Sequence, residues 1–238
     1  HGWTEVAQSG IGARFPLREG ETAADIRTHL FREMFRFNGR PTPLFTNEMA
    51  AQIRQRGGQA DANELLEAFL EPLNANAHER YAQLRNGTAT PDDFIVHGGL
   101  ALLELLTARG LHIIILSGNP HDQITAEAEM LGLTGFCNGH VYGHTDANNF
   151  TKQAVLEKLM AEESFTGEEF IMFGDGAAEI EATCNLGGLP IAVCSDEHQN
   201  GSGRIDENKR AVLLEAGANV VIADYREPNT LLNLIIGK

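Results

Sequence analysis

The spacing of apolar residues changes character near residue 90. Before it the repeats are helical. Ile26, Leu30, Phe31, Met34, Phe35 and Phe37 recur mainly at three- and four-residue steps, which predicts a helix within Glu19–Asn38. Gly39 is the expected stop, and Pro41 and Pro43 continue the break. A second helix is predicted from Asn47 to Gln55, ending at Gly57-Gly58. A third starts with Asp61-Ala-Asn-Glu64, which resembles a capping box, and runs towards Leu70. Pro72 should interrupt or kink it before a further helical stretch, Leu73–Leu84, closed by Asn86-Gly87. Residues 15–90 therefore read as all-helical. Residues 1–14 read as a loop or a first helical turn, with Trp3, the single tryptophan, expected to pack.

After Pro91 short apolar runs alternate with helical stretches. Gly98–Arg109 reads as a helix capped by Gly110. His112-Ile-Ile-Ile-Leu116 is a continuous apolar run, the mark of a strand covered on both faces. Helices are predicted at 122–131, 151–160, 177–185, 205–215 and 228–236. Further strands are predicted at 170–173, 189–194 and 219–223, with a short strand or loop at 136–142. Strands alternating with helices predict an α/β fold, a parallel sheet with helices on both faces.

Charge narrows the partners. The 238 residues carry 18 basic against 33 acidic side chains, a net charge of −15. A nucleic-acid partner needs a basic footprint and is not expected. A phosphorylated substrate would need local positive charge from a Lys, an Arg or a metal. The three cysteines, Cys137, Cys184 and Cys194, lack metal-ligand spacing and read as reduced thiols of a cytoplasmic protein, mostly in the core. No signal-peptide pattern or membrane-length apolar run is present, so no membrane partner is expected.

The candidate chemistry lies at predicted strand ends. Phe170–Phe173 ends in Gly174-Asp175-Gly176 and leads at once into a helix, and ligands of open α/β sheets sit at this edge. Asp175 and Glu179 are spaced to face one point, where two like charges at roughly 4 Å repel by about 4 kcal/mol at an effective dielectric near 20. A Mg²⁺ ion between them would turn that cost into attraction. The alternative is a plain helix N-terminus, with Asp175 as the cap and Glu179 solvated. The strand at 112–116 ends in Ser117-Gly118-Asn119, a hydroxyl with backbone N–H groups beside it, and Lys152 opens a helix between the two strand ends. Together these residues form a set suited to phosphate and metal: Ser117, Gly118 and Asn119 on phosphate oxygens, Lys152 neutralising developing charge, Asp175 and Glu179 on the metal. Two other readings are weaker. Gly174-Asp-Gly-Ala-Ala-Glu179 lacks the last glycine of a dinucleotide-binding loop. His140, His144 and Asp146 have a transition-metal flavour, but Gly139 and Gly143 argue against the helix that would align them.

The ordered set Ile113-Ile-Ile-Leu-Ser-Gly118, Lys152 and Phe173-Gly-Asp-Gly-Ala-Ala-Glu179 resembles the second, third and fourth motifs of the haloacid dehalogenase (HAD) superfamily, many of whose members are Mg²⁺-dependent phosphatases. The segment Gly187–Glu197 and the stretches 205–210 and 216–224 are similar to a bacterial subgroup of it. The resemblance implies a Rossmann-like parallel core with an inserted all-helical cap: residues 1–14 as the N-terminal part of the core, 15–90 as the cap and 91–238 as the α/β core. It implies a phosphoric monoester hydrolase of a small phosphorylated metabolite, with Ser117 binding the phosphoryl group, Lys152 orienting nucleophile and phosphate, and Asp175 holding Mg²⁺. Glu179 stands where relatives often have Asp. A HAD-like module that binds phosphate and metal without chemistry is the alternative.

One motif departs from the pattern. The family's first motif, Asp-x-Asp-x-Thr, supplies the nucleophile from a central strand, and no stretch of this chain matches it. That strand would lie between those at 112–116 and 170–173. Without it two inner strands face a gap, at a cost of about 1–3 kcal/mol for each buried unpaired backbone group. The expectation is that the sequence is part of a longer chain, with a re-paired sheet or a strand from another molecule as alternatives.

Overall fold

The computed structural model of the protein describes residues 6–196 and 198–237. Trp3, expected to pack, lies outside them. Three helices fill the first part of the chain: α1 (Ala23–Phe37), α2 (Thr42–Gln55) and α3 (Ala62–Asn86). Thr22 starts α1: its hydroxyl accepts from the Asp25 N–H at 3.3 Å, and the Asp25 carboxylate accepts from the Thr22 N–H at 2.8 Å. Helix α2 begins at Thr42, upstream of the predicted Asn47, because Pro43 sits in the first turn, where a missing N–H costs nothing. Asp61 caps α3 by accepting from the N–H groups of Asn63 and Glu64. Pro72 was expected to interrupt or kink this segment; α3 runs through it without interruption.

The three helices close on one apolar cluster that includes Ile26, Leu30, Phe45, Met49, Ile53, Leu65 and Phe69. Burying each such large side chain contributes about 1.5–3 kcal/mol. Val6, Ile11 and Phe15 belong to the same cluster, so the described part of the N-terminal segment packs with the helices.

The remainder alternates in the predicted way: α4 (Gly99–Ala108), β1 (Ile115–Pro120), α5 (His121–Met130), β2 (Val141–His144), α6 (Lys152–Glu163), β3 (Ile171–Gly174), α7 (Ala177–Asn185), β4 (Leu189–Val193), α8 (Glu207–Glu215), β5 (Val220–Ile222) and α9 (Pro228–Ile236). All strand pairs are parallel, which gives the α/β class with a helical insertion ahead of it.

The strands do not form one sheet. β1 pairs with β2, and β3, β4 and β5 form a second sheet in that order. β1 and β3 have no ladder between them, although both line one cavity. The apolar run at 112–116 is shifted relative to expectation. The ladder begins at Ile115, whose N–H donates to the His140 carbonyl at 2.9 Å, and extends to Pro120. Ile113–Leu116 are half-buried rather than covered on both faces, and among the described residues β1 pairs with β2 alone. In the second sheet the core is Ile180, Ala192, Cys194, Leu213 and Ala218; in the first it is Ala128, Cys137 and Val141. Two of the cysteines are thus core residues, and Cys184 is exposed.

Candidate active site

The C-terminal ends of β1 and β3 open on a cavity of about 520 Å³. Ser117, Gly118, Asn119, Lys152, Asp175 and Glu179 all line it. Each arrives from a different local cause. Ser117 lies within β1, and the Asn119 N–H donates to its Oγ at 3.1 Å. That bond leaves the Ser117 O–H free to donate outward. Thr151 caps α6 by accepting from the Ala154 N–H at 3.1 Å, which places Lys152 at the first helical position. β3 ends at Gly174, so Asp175 stands at the strand's edge with its side chain 52% exposed.

Asp175 and Glu179 were expected to face a common cation. In the structure each carboxylate meets a lysine. Lys152 Nζ donates to Glu179 Oε2 at 2.9 Å within a buried pair, and Glu179 Oε1 accepts from the Gly176 N–H at 3.0 Å. Lys209 Nζ lies 3.9 Å from Asp175 Oδ2 and 3.4 Å from Ser195 Oγ. The plain N-cap alternative does not describe the site either, because Glu179 is buried rather than solvated. Burial pushes the Glu179 carboxyl up; Lys152 pulls it down and the nearby Asp175 charge adds to the rise, with burial the largest influence.

The loop between α1 and α2 reaches into the cavity. Asn38 Nδ2 donates to the Asp175 carbonyl at 2.9 Å, and Arg40 pairs with Glu181 on α7 at 2.8 Å. This approach requires glycine on both sides. A Cβ on Gly118 would lie 2.7 Å from the Gly39 carbonyl oxygen, and one on Gly176 would lie 2.6 Å from that of Asn38. Gly39 itself turns at φ +82°, against the Glu179 carboxylate and the Lys152 ammonium. Tyr225 closes the floor against Phe173, with ring centroids 5.7 Å apart. Burial and the Asp175 charge push its phenol well above the usual range.

Sequence reasoning missed Asn38, Gly39, Arg40, Lys209 and Tyr225. Of these only Gly39 left a trace, as a helix stop. Of the arginines in the helical segment, Arg40 lines the cavity. Arg32 pairs with Glu215, Arg36 with Glu33, and His29 with Gln52. Lys152 and Arg40 line the cavity and Lys209 stands beside Asp175, so three cations, each paired with a carboxylate, gather here in a chain of net charge −15. The set His140, His144 and Asp146 is not assembled. His140 directly precedes β2 and His144 ends it, four steps on, about 13 Å away at the strand rise of about 3.3 Å per residue. His144 packs on Phe150, and Asp146 accepts from Asn148 and Asn149.

A phosphoserine phosphatase of Campylobacter jejuni subsp. doylei is 28% identical over 151 residues, covering 59% of this chain and 70% of that protein. A phosphoglycolate phosphatase of Rhodospirillum rubrum is 32% identical over 98 residues, covering 41% of this chain and only 40% of that protein. Among solved structures, a predicted phosphatase from Clostridium acetobutylicum superposes with a TM-score of 0.61 at 18% identity, over 97% of this chain and 90% of that one. A HAD family hydrolase from Deinococcus radiodurans R1, with bound phosphate and sodium, superposes at 0.58 and 17% identity, over 98% of this chain and 89% of that one. At such identities the likeness concerns the fold. The profile of the haloacid dehalogenase-like hydrolases matches residues 17–181, more than half of the chain, and the protein belongs to that family.

Proposed function

We propose that the protein is a HAD phosphatase scaffold for a small phosphorylated metabolite. The helices of residues 15–90 act as its cap, with residues 6–14 packed on them, and residues 91–238 form the core that carries the chemistry. The observation that carries this reading is the convergence of Ser117, Gly118, Asn119, Lys152 and Asp175 on one cavity. The phosphatase names of the two sequence relatives support it.

Ser117 Oγ, held by the Asn119 N–H, donates its proton to a phosphate oxygen. Lys152 spends one of its three N–H donors on Glu179 and directs the others at the phosphate. Asp175 fits a Mg²⁺ ion: it offers hard carboxylate oxygens at the cavity wall, and Asn38 pins its backbone. When bound, Mg²⁺ would neutralise phosphate charge and align the phosphoryl group. Both oxygens of Glu179 are engaged, so its part is to hold Lys152 in place rather than to ligate directly.

On this reading the nucleophilic aspartate comes from a strand seated between β1 and β3, whose facing edges have no ladder partner. The same gap favours a second reading, a module that binds phosphate and metal without chemistry. Hydrolysis of p-nitrophenyl phosphate separates the two, assayed with and without Mg²⁺ and with and without a synthetic strand peptide ending in Asp-x-Asp-x-Thr. Turnover that needs peptide, Mg²⁺ and Asp175 is expected. No turnover with Mg²⁺ still bound through Asp175 favours the second reading. Turnover without the peptide, lost in Asp175→Asn, would mean that the nucleophile lies within these residues.

A further inference from the structure

At the opposite end of the first sheet, His112, His140 and Glu163 form a cluster that the cavity does not include. His112 precedes β1, His140 precedes β2, and Glu163 is the last residue of α6. His112 Nδ1 lies 2.9 Å from Glu163 Oε2, and His140 Nδ1 lies 4.0 Å from Glu163 Oε1. The two imidazoles meet edge to face, with centroids 4.5 Å apart. One ligand atom from each of the three residues lies within 4.8 Å of the others. This is the only such group among the described residues.

We infer that His112, His140 and Glu163 form a binding site for a borderline divalent transition metal, with Zn²⁺ as the natural occupant. Two imidazole nitrogens and a carboxylate are a donor set that suits Zn²⁺ and neglects Mg²⁺. Tetrahedral bonds of about 2.0–2.1 Å set ligand atoms about 3.3 Å apart, and the two distances to Glu163 bracket that spacing. The side chains are 43%, 36% and 29% exposed, so small rotations close the set and leave a side open for water as the fourth ligand. The parallel pairing of β1 with β2, fixed by the Ile115 N–H to the His140 carbonyl, brings the two histidines side by side. Tyr142 OH lies 3.3 Å from His140 Nδ1, and it must yield that nitrogen to the metal. The site is remote from the cleft. Eleven helical steps of about 1.5 Å along α6 separate Glu163 from Lys152, about 16 Å. A bound ion would tie the end of α6 to the starts of β1 and β2.

The test titrates Zn²⁺ into chelator-treated protein by calorimetry. Excess Mg²⁺ covers the cleft carboxylates, and a Cys184→Ser background removes the exposed thiol. One Zn²⁺ per chain is expected. His112→Ala and Glu163→Gln should each weaken binding by more than about tenfold, since losing even a group that only supports a ligand costs about 10–100-fold. Co²⁺ added to the chain with both histidines intact should give the intense visible band of four-coordinate cobalt, a readout that does not depend on any variant folding. Zn²⁺ affinity unchanged in both variants, or a cobalt spectrum with only the weak six-coordinate bands, would overturn the inference and leave the cluster as a His112–Glu163 hydrogen bond.

Discussion

Glu179 has both oxygens committed, one to Lys152 and one to the Gly176 backbone, in a place where water barely reaches. Such a pair is asymmetric: removing one partner costs about 3–5 kcal/mol, whereas replacing both by neutral groups is often harmless. Lys152→Met should therefore lower stability at neutral pH by about that amount, and Lys152→Met/Glu179→Gln should recover most of it. The pH dependence has a definite sign. Burial raises the folded pKa of Glu179 above its usual 4.5, so its contribution is full below that value and is lost as pH rises through the raised one. Losing Lys152 raises the folded value further. The gap between wild type and Lys152→Met should thus narrow on acidification, read as urea midpoints across pH. A gap constant with pH would mean that Glu179 stays charged without its lysine. The acidic pair at positions 175 and 179 was legible from spacing alone. That its counter-charges are two lysines was not, because Lys209 comes from a helix far along the chain and buried charge leaves no periodic trace.

At the level of elements, helices whose ends carry capping or turn chemistry were readable. The span of α7 agrees with expectation, and α1 and α3 begin just after their caps. The β1 boundary and the break at Pro72 failed for physical reasons. β1 is displaced because a strand is defined by its partner, and β2 begins only at Val141. α3 persists through Pro72 because Leu65 and Phe69, on the turns before it, are held in the helical core. Pro72 still leaves the Ala68 carbonyl without its usual intrahelical donor. A proline inside a helix costs about 3 kcal/mol, while its stiffening of the unfolded chain returns at most about 1 kcal/mol. Pro72→Ala should then stabilise the protein by about 2 kcal/mol, seen as a higher urea midpoint at unchanged slope. An unchanged midpoint would show that the pyrrolidine ring packs well enough to offset the lost bond.

For the whole molecule, the class and the helical insertion could be read from the change of period near residue 90, and the gap in the sheet from a motif that no stretch matches. The packing of residues 6–15 on the helices could not, since a short segment with few apolar residues does not declare its neighbour. The divided sheet makes a prediction of its own. Ile191 and Ala192 of β4 have partners on both sides, whereas β1 and β3 are each bonded on one. Amide hydrogen exchange should be slowest in β4, and the amides of β1 and β3 that point to their open edges should exchange faster. Equal protection would mean that the gap closes in solution.

The division also has an order in time. The first sheet is built from residues 115–144 and the second from 171–222, two stretches that do not interleave along the chain. As the chain leaves the ribosome at about 5–20 residues per second, the first ladder can close while the second is still unmade. Neither ladder draws on residues of the other.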